Sequence, residues 1–403
     1  MSAPGRRTND FALRRNRGRR NVLFSICDME LLRLLRWCRF MNQADLRESF
    51  EDTTIQNLMA LNLIRLHDTS GFLMLSGQGS RLLDKYFQDM PTYGRLSYSK
   101  ADIQRRIRMS KLTLTAYRAH LSIFQTDLFS LSKPNTYFLP GLTRGRGANP
   151  WSNSRIAALL RLENTLFAAH YVSPGIGNLL FTDELNAFSN NTSQIPKVHR
   201  ALIFAGESYQ SILEELERTG EDEEGRSISY GAAFRVSPTP IHLLPCQEVG
   251  ALQLRIMAVP GYRQRLTRAA LRGTFSPAPM EYPCWDALFD GQPFVLAVDM
   301  DLRRVDAALT AAKMQGIKKI AIAALREQVK EVLNQRYKVP GLARVFTLTE
   351  DAISSLGDMS LYTPSPEGYH TEEGGVIHAP PIKAAGKTGR PAGKQVRQLG
   401  RAQ

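Results

Sequence analysis

Asp52-Thr53-Thr54-Ile55-Gln56-Asn57-Leu58-Met59-Ala60-Leu61, continued by Asn62-Leu63-Ile64-Arg65-Leu66-His67 and then Gly71-Phe72-Leu73-Met74-Leu75-Ser76, is the stretch whose reading decides the fold. Ile55, Leu58 and Met59 recur at helical spacing, so Thr53 to Leu61 reads as a helix capped by Asp52. Thr53, Thr54, Gln56 and Asn57 then point away from its apolar side. Leu63 to His67 and Phe72 to Leu75 read as two short strands, and Asp68-Thr69-Ser70-Gly71 between them is hairpin-loop chemistry. Working outward, Asp28 to Phe40 reads as a helix through Leu31, Leu32, Leu34, Leu35 and Cys38, with Asp28 as its cap. Asn42 begins a second, short helix through Ala44, Leu46 and Phe50. After the hairpin, Ser76 leads into a helix through Leu82, Leu83 and Phe87. Three helices, a hairpin and a closing helix over residues 21–92 predict an α+β winged helix-turn-helix, whose third helix enters the major groove while the hairpin touches the backbone.

The distribution of charge says more than its total of +14. Seven arginines against Asp10 give residues 1–20 a charge of +6, and six Lys and Arg with no acid give residues 383–403 another +6. Both ends are poor in large apolar groups, so 1–20 and 361–403 are expected to be disordered basic tails that track a phosphate backbone without reading sequence. The recognition helix carries no Lys or Arg, and residues 21–86 hold seven basic and eight acidic side chains. Its hydroxyl and amide groups are therefore the candidate base contacts, with Arg65 on the hairpin. Arg105, Arg106, Arg108 and Lys111 lie on a predicted helix, Ser99 to Phe124, and would supply phosphate contacts within a basic connector, 93–150.

Leu142 to Asn153, rich in Gly, Pro, Arg and Asn, reads as the boundary to an α/β domain over 151–360. Asn153 to Ala169 reads as a helix, Ala201 to Ala205 as a strand and Tyr209 to Arg218 as a helix; Glu221 to Glu224 reads as an acidic loop. From Phe294 to Thr349 the pattern is strand, helix, strand, helix, strand, which implies a partly parallel sheet. Asp299 and Asp301 end the first of those strands and are the most suggestive carboxylates for holding Mg²⁺, with Glu163, Asp183, Glu184 and Glu207 as further acids; the alternative is that Asp301 caps the following helix. Gly175-Ile176-Gly177-Asn178 is too short for a dinucleotide fingerprint. No phosphate loop, HxxxH pair or Gly-x-Ser-x-Gly occurs, so no cofactor is expected. Cys27, Cys38, Cys246 and Cys284 form no CxxC pair and read as buried thiols. No apolar run approaches bilayer length and no secretory leader is recognisable, which predicts a cytoplasmic protein without a membrane partner.

The block from Leu31 to Leu83, the arginine-bearing helix around Arg105 to Met109 and the α/β domain behind them resemble the plasmid replication-relaxation family of Gram-positive conjugative plasmids and integrative elements. That resemblance implies a second domain like a restriction-endonuclease core and a link to plasmid replication and DNA topology. The acidic and lysine positions of an active core are not visible here, so the core would be degenerate and catalysis is not carried over. The expected function is a non-catalytic accessory protein that binds double-stranded DNA, acts in replication or conjugative transfer control, and meets replication or transfer proteins, with a homodimer as a compatible assembly. Two alternatives stand beside it: a metal-dependent nuclease or nicking enzyme using Asp299 and Asp301, and a transcriptional regulator whose second domain binds a ligand or partner.

Overall fold

Ser25 closes the first extended pair of residues, β1 (Phe24–Ser25), and its hydroxyl accepts the Asp28 N–H at 3.0 Å while the Asp28 carboxylate accepts the Ser25 N–H at 2.9 Å. This reciprocal box starts α1 (Ile26–Cys38) two residues earlier than the sequence suggests, with Asp28 inside the first turn instead of at the cap. The computed structural model describes residues 24–67, 71–88, 90–91, 99–142, 155–172, 181–195, 198–218, 234, 237, 239–273, 275–365, 367–370 and 376–378. The tails 1–20 and 383–403, the hairpin tip 68–70, the expected boundary loop from 143 onward, Gly175 to Asn178 and the acidic run 221–224 lie outside these residues.

In the N-terminal unit α1 is followed by β2 (Met41–Asn42), α2 (Gln43–Leu46), α3 (Asp52–Ala60), β3 (Ile64–His67), β4 (Phe72–Leu75) and α4 (Gly77–Tyr86). The strands form one sheet in the order β2-β4-β3. Asn42 and Ser76 cap their helices as expected. Asp52 does not: Glu51 holds the cap position of α3 without a side-chain bond, because the Asp52 carboxylate is paired with Arg47 at 2.6 Å. Gly79 lets α4 lie on the hairpin, since a Cβ there would stand 2.2 Å from the Leu63 carbonyl oxygen.

Helix α5 (Lys100–Arg118) is capped by Ser99 and ends before the predicted Phe124. Its residues from Leu112 to Tyr117 are buried on every side, because α1 and β2 pack on one flank and the following sheet on the other. Strand β5 (Thr136–Phe138), which precedes the expected boundary, is already hydrogen-bonded into that sheet. Residues of α1 and α3 share one hydrophobic core with Tyr137, Leu160, Phe167 and Ile203 of the sheet. Within the expected connector, the C-terminal half of α5 and β5 are thus part of the core.

The sheet continues through β6 (Ala158–Leu162), β7 (Thr165–Tyr171), α6 (Phe181–Asn191), β8 (His199–Gly206), α7 (Tyr209–Glu217) and β9 (Ile241–Pro245). A helix expected from Asn153 to Ala169 is instead a hairpin turning at Glu163, φ 46°, and Asn164. Its strands are covered on both faces, so they show a continuous apolar run with no period-two alternation to distinguish them from a buried helix. Two helices, α8 (Glu248–Met257) and α9 (Tyr262–Leu271), lead to a second sheet. It contains β10 (Phe275–Pro277), β11 (Ala287–Phe289), β12 (Gln292–Leu296), α10 (Leu302–Met314), β13 (Ile320–Ala324), α11 (Arg326–Gln328, continued as a π-helix over Val329–Lys338) and β14 (Ala343–Thr347), followed by α12 (Glu350–Ser354). These last elements match the predicted alternation within a few residues.

The two sheets share one plan. In each, strands run in chain order, the first two pairings are antiparallel and the last two parallel. Backbone bonds outside the ladders repeat as well. Ala157 N–H to Ala169 O, 2.7 Å, corresponds to Asp286 N–H to Phe294 O, 2.8 Å. Val172 to Ala205, 2.7 Å, corresponds to Ala297 to Ala323, 2.8 Å, and Cys246 to Gly206, 2.7 Å, to Leu348 to Ala324, 2.9 Å. The expected single α/β domain is two successive copies of one strand-strand-strand-helix-strand-helix-strand unit. The chain then returns to its start: β15 (Gly368–His370) pairs with β1 and with β16 (Val376–His378), and Tyr362 donates to Glu30. Residues 361–365, 367–370 and 376–378 are therefore part of the N-terminal unit and not of a tail.

Candidate nucleic-acid interface

Ile55 and Leu58 are fully buried and fix one side of α3 against α1, which leaves Thr53, Gln56 and Asn57 exposed and Thr54 half-buried. The Thr53 hydroxyl donates to Glu51 at 3.0 Å, so Gln56 and Asn57 are the α3 groups with amides free to face outward. Arg65 is exposed on β3 in the same unit. Acids surround the start of α3; Glu48 is paired with Arg118 at 2.5 Å and Asp52 with Arg47, while Glu51 accepts the Thr53 hydroxyl.

The arginine-bearing part of α5 is less available than its sequence suggests. Arg105 is exposed but lies 2.8 Å from Asp102 on the preceding turn. Arg106 and Arg108 are half-buried, and Arg106 lines a small pocket with Trp37, Cys38 and Met109. Lys111 reaches Glu207 beyond β8 at 2.6 Å, and burial, which alone would lower its pKa, is outweighed by that carboxylate, which raises it.

A basic face that the sequence reading missed lies on α9. Leu266, Thr267 and Leu271 are buried, while Arg265, Arg268 and Arg272 are exposed on the opposite side. Their spacing of three and four residues places them in one stripe spanning about 10 Å of helix. The signal was present in Arg263-Gln264-Arg265-Leu266-Thr267-Arg268, where cations alternate with residues of helical apolar period and no acid intervenes. Arg265 donates to the Ser355 carbonyl at 2.9 Å, and α12 alongside brings Glu350 and Asp351, so Arg268 and Arg272 are the outward members.

Compared with protein-family profiles, curated proteins and solved structures, the chain gives no match. Its chemistry is read from its own geometry.

The carboxylate pair at the end of β12 is already engaged. Asp299 is fully buried; it accepts the Tyr262 hydroxyl at 3.1 Å, is ion-paired with Arg263, and has Arg304 at 3.6 Å and His242 at 3.9 Å. Burial alone would push its pKa up, but the guanidinium groups of Arg263 and then Arg304 hold it far below the usual carboxylate range. Asp301 accepts the Arg304 N–H at 3.1 Å and caps α10, as the alternative reading expected. Between them Met300 is buried at φ 52°, a left-handed conformation held by the packing around it. Among the described residues no group of three or more His, Cys, Asp or Glu is arranged to hold a metal ion. The cluster borders a cavity of about 710 Å³ between the two units, lined among others by Glu163, Arg200, His242, Tyr262, Arg263 and Arg304. No helix among the described residues is long and apolar enough to cross a membrane.

Proposed function

We propose that this chain is a non-catalytic accessory protein that binds double-stranded DNA, as expected for a protein acting in replication or conjugative transfer control of a plasmid or integrative element. The observation that carries the reading is the exposed Gln56 and Asn57 face of α3, fixed from behind by Ile55 and Leu58 and followed by a two-stranded hairpin bearing Arg65. Helix, strand, short helix, helix, hairpin and closing helix is the element order of a winged helix, in which α3 is the recognition helix. Amides are suited to reading adenine edges in the major groove, while cations grip phosphate. In this reading α3 selects the site. The α9 stripe and the basic ends of the chain supply most of the salt-sensitive grip. The two mixed sheets with helices on their faces are compatible with a degenerate restriction-endonuclease-like core, used here as a scaffold. A cytoplasmic location and a homodimer on a two-fold site accord with this reading.

Titrating duplex DNA at several salt concentrations tests it. Binding at low salt should weaken linearly in log–log form as salt rises, and Gln56→Ala with Asn57→Ala should reduce discrimination between sequences while leaving that slope unchanged. Absence of binding at low salt overturns the proposal.

A further inference from the structure

β9 and β14 are the last strands of their sheets, and the repeat makes Leu243 and Val345 equivalent on them, each three residues before the matching donors Cys246 and Leu348. Leu202 N–H to Pro240 O and Cys246 N–H to Gly206 O turn the even-numbered residues of β9 toward β8, so the backbone of Leu243 faces outward. Ile320 N–H to Leu342 O and Leu348 N–H to Ala324 O set the same parity on β14, where Ala343, Val345 and Thr347 face outward. The chain itself closes the first edge. Leu243 N–H donates to the Met300 carbonyl at 3.3 Å, and its own carbonyl accepts Gln253 Nε2 at 2.9 Å. The second edge is open: among the described residues nothing outside the β13 ladder bonds to the backbone of Ala343, Val345 or Thr347. Arg344, Phe346 and Thr347 are exposed, Phe346 by 42%.

An exposed row of unpaired N–H and C=O groups is a template for another strand, and β14 carries neither Pro nor a bulge to blunt it. We infer that β14 is the interface to a second copy of this chain, paired antiparallel about a two-fold axis at Val345, so that two five-stranded sheets become one. Two features select a copy in this direction. With Val345 opposite Val345, Arg344 stands opposite Phe346, a cation beside an aromatic ring, and no like charges meet within the strands. The two ends of the strand also differ in sign. Lys318, Lys319 and Lys338 are exposed near its start, Glu350 and Asp351 are exposed just past its end, and none of the five is ion-paired among the described residues. Antiparallel pairing brings each basic end to the acidic end of the second copy. The interface rests on this edge and not on the reading of α3, although it supplies the homodimer which that reading accommodates.

The mass of the full chain in solution without DNA, measured by light scattering over a concentration series, tests it. It should rise from one chain toward two and fall back as salt is added. Val345→Pro should remain a single chain throughout, because it removes an outward N–H at an edge where proline breaks no ladder bond. Its thermal unfolding at the lowest concentration should match the wild type, which excludes misfolding. Lys318→Glu with Lys319→Glu, and separately Glu350→Lys with Asp351→Lys, should each dimerise about tenfold more weakly, and an equimolar mixture of the two should recover the wild-type strength, since both ends are then complementary. A wild type that stays a single chain at its highest soluble concentration, a dimer unchanged by Val345→Pro, or a mixture that stays weak overturns the inference. Duplex binding measured on Val345→Pro separates failure of this interface from failure of DNA binding.

Discussion

Lys111 of α5 and Glu207, the residue after β8, meet at 2.6 Å, and the opposite oxygen of the same carboxylate accepts the Tyr171 hydroxyl at 2.6 Å. A side chain that the sequence offers to phosphate is thus engaged in tying the N-terminal unit to the first sheet. Lys111→Met should cost about 1 kcal/mol in chemical unfolding and leave the salt dependence of DNA binding unchanged. Replacing Arg268 and Arg272 together with Gln should do the reverse, lowering the slope of log affinity against log salt by up to about 1.8 with little change in stability. An altered slope in Lys111→Met would return α5 to the interface.

The two repeated units are locked by buried amides. Gln328 Nε2 donates to the Val298 carbonyl at 2.7 Å and reaches the Tyr209 hydroxyl at 2.8 Å, while its Oε1 accepts the Leu325 N–H at 3.0 Å; Gln253 Nε2 joins the Leu243 carbonyl, 2.9 Å, to the Asp299 carbonyl, 3.2 Å. Gln328→Leu leaves several of these groups buried and unpaired and should cost about 2–4 kcal/mol. Urea unfolding measures it, and a loss below the error of that method would show that water replaces the amide.

His170 is buried beside Glu184, 3.3 Å away, and burial lowers its pKa from 6.5 to about 4. Below pH 6.5 the unfolded chain takes up a proton that the folded chain refuses, so this contribution is intact above 6.5 and declines toward pH 4, by on the order of 3 kcal/mol in all. Glu184, whose pKa burial raises, takes a proton within the folded state and works in the opposite direction. Unfolding free energy measured from pH 7 to 4.5 should therefore fall more steeply in the wild type than in His170→Gln. Parallel curves would exclude His170 as the source.

Gly79 faces the Leu63 carbonyl so closely that Gly79→Ala forces α4 off the hairpin. A loss of about 1–3 kcal/mol is expected, with DNA affinity falling in step, because the same contact fixes the hairpin beside α3. Normal stability in this variant would mean that the hairpin yields without cost.

Asp299 is held by Arg263, Tyr262 and Arg304, which leaves its carboxylate engaged instead of open to a divalent cation. Supercoiled plasmid incubated with the protein and Mg²⁺ should remain uncut. Nicking that disappears in Asp299→Ala would establish the nuclease alternative.

The sequence by itself determined the elements whose signals are local. Helical periodicity in Leu31, Leu32, Leu34 and Leu35, the caps at Asn42 and Ser76, the hairpin from Ile64 to Leu75 and the alternation from Gln292 to Thr347 all appear where their residues place them, because spacing and capping act within a few positions along the chain. Three things were decided only by tertiary structure. The hairpin at Glu163 was indistinguishable from a helix, since burial on both faces erases the alternation that marks a strand. The repeat of the two units resides in strand pairing between residues far apart in the chain; Ala158-Leu159 and Ala287-Leu288 hold equivalent places, but so short a match marks no repeat by itself. The fate of each charge was equally hidden: Lys111 finds Glu207 and Asp299 finds Arg263 across long stretches of chain. Whether a cation is spent inside the molecule or offered to a partner depends on neighbours that only folding brings together.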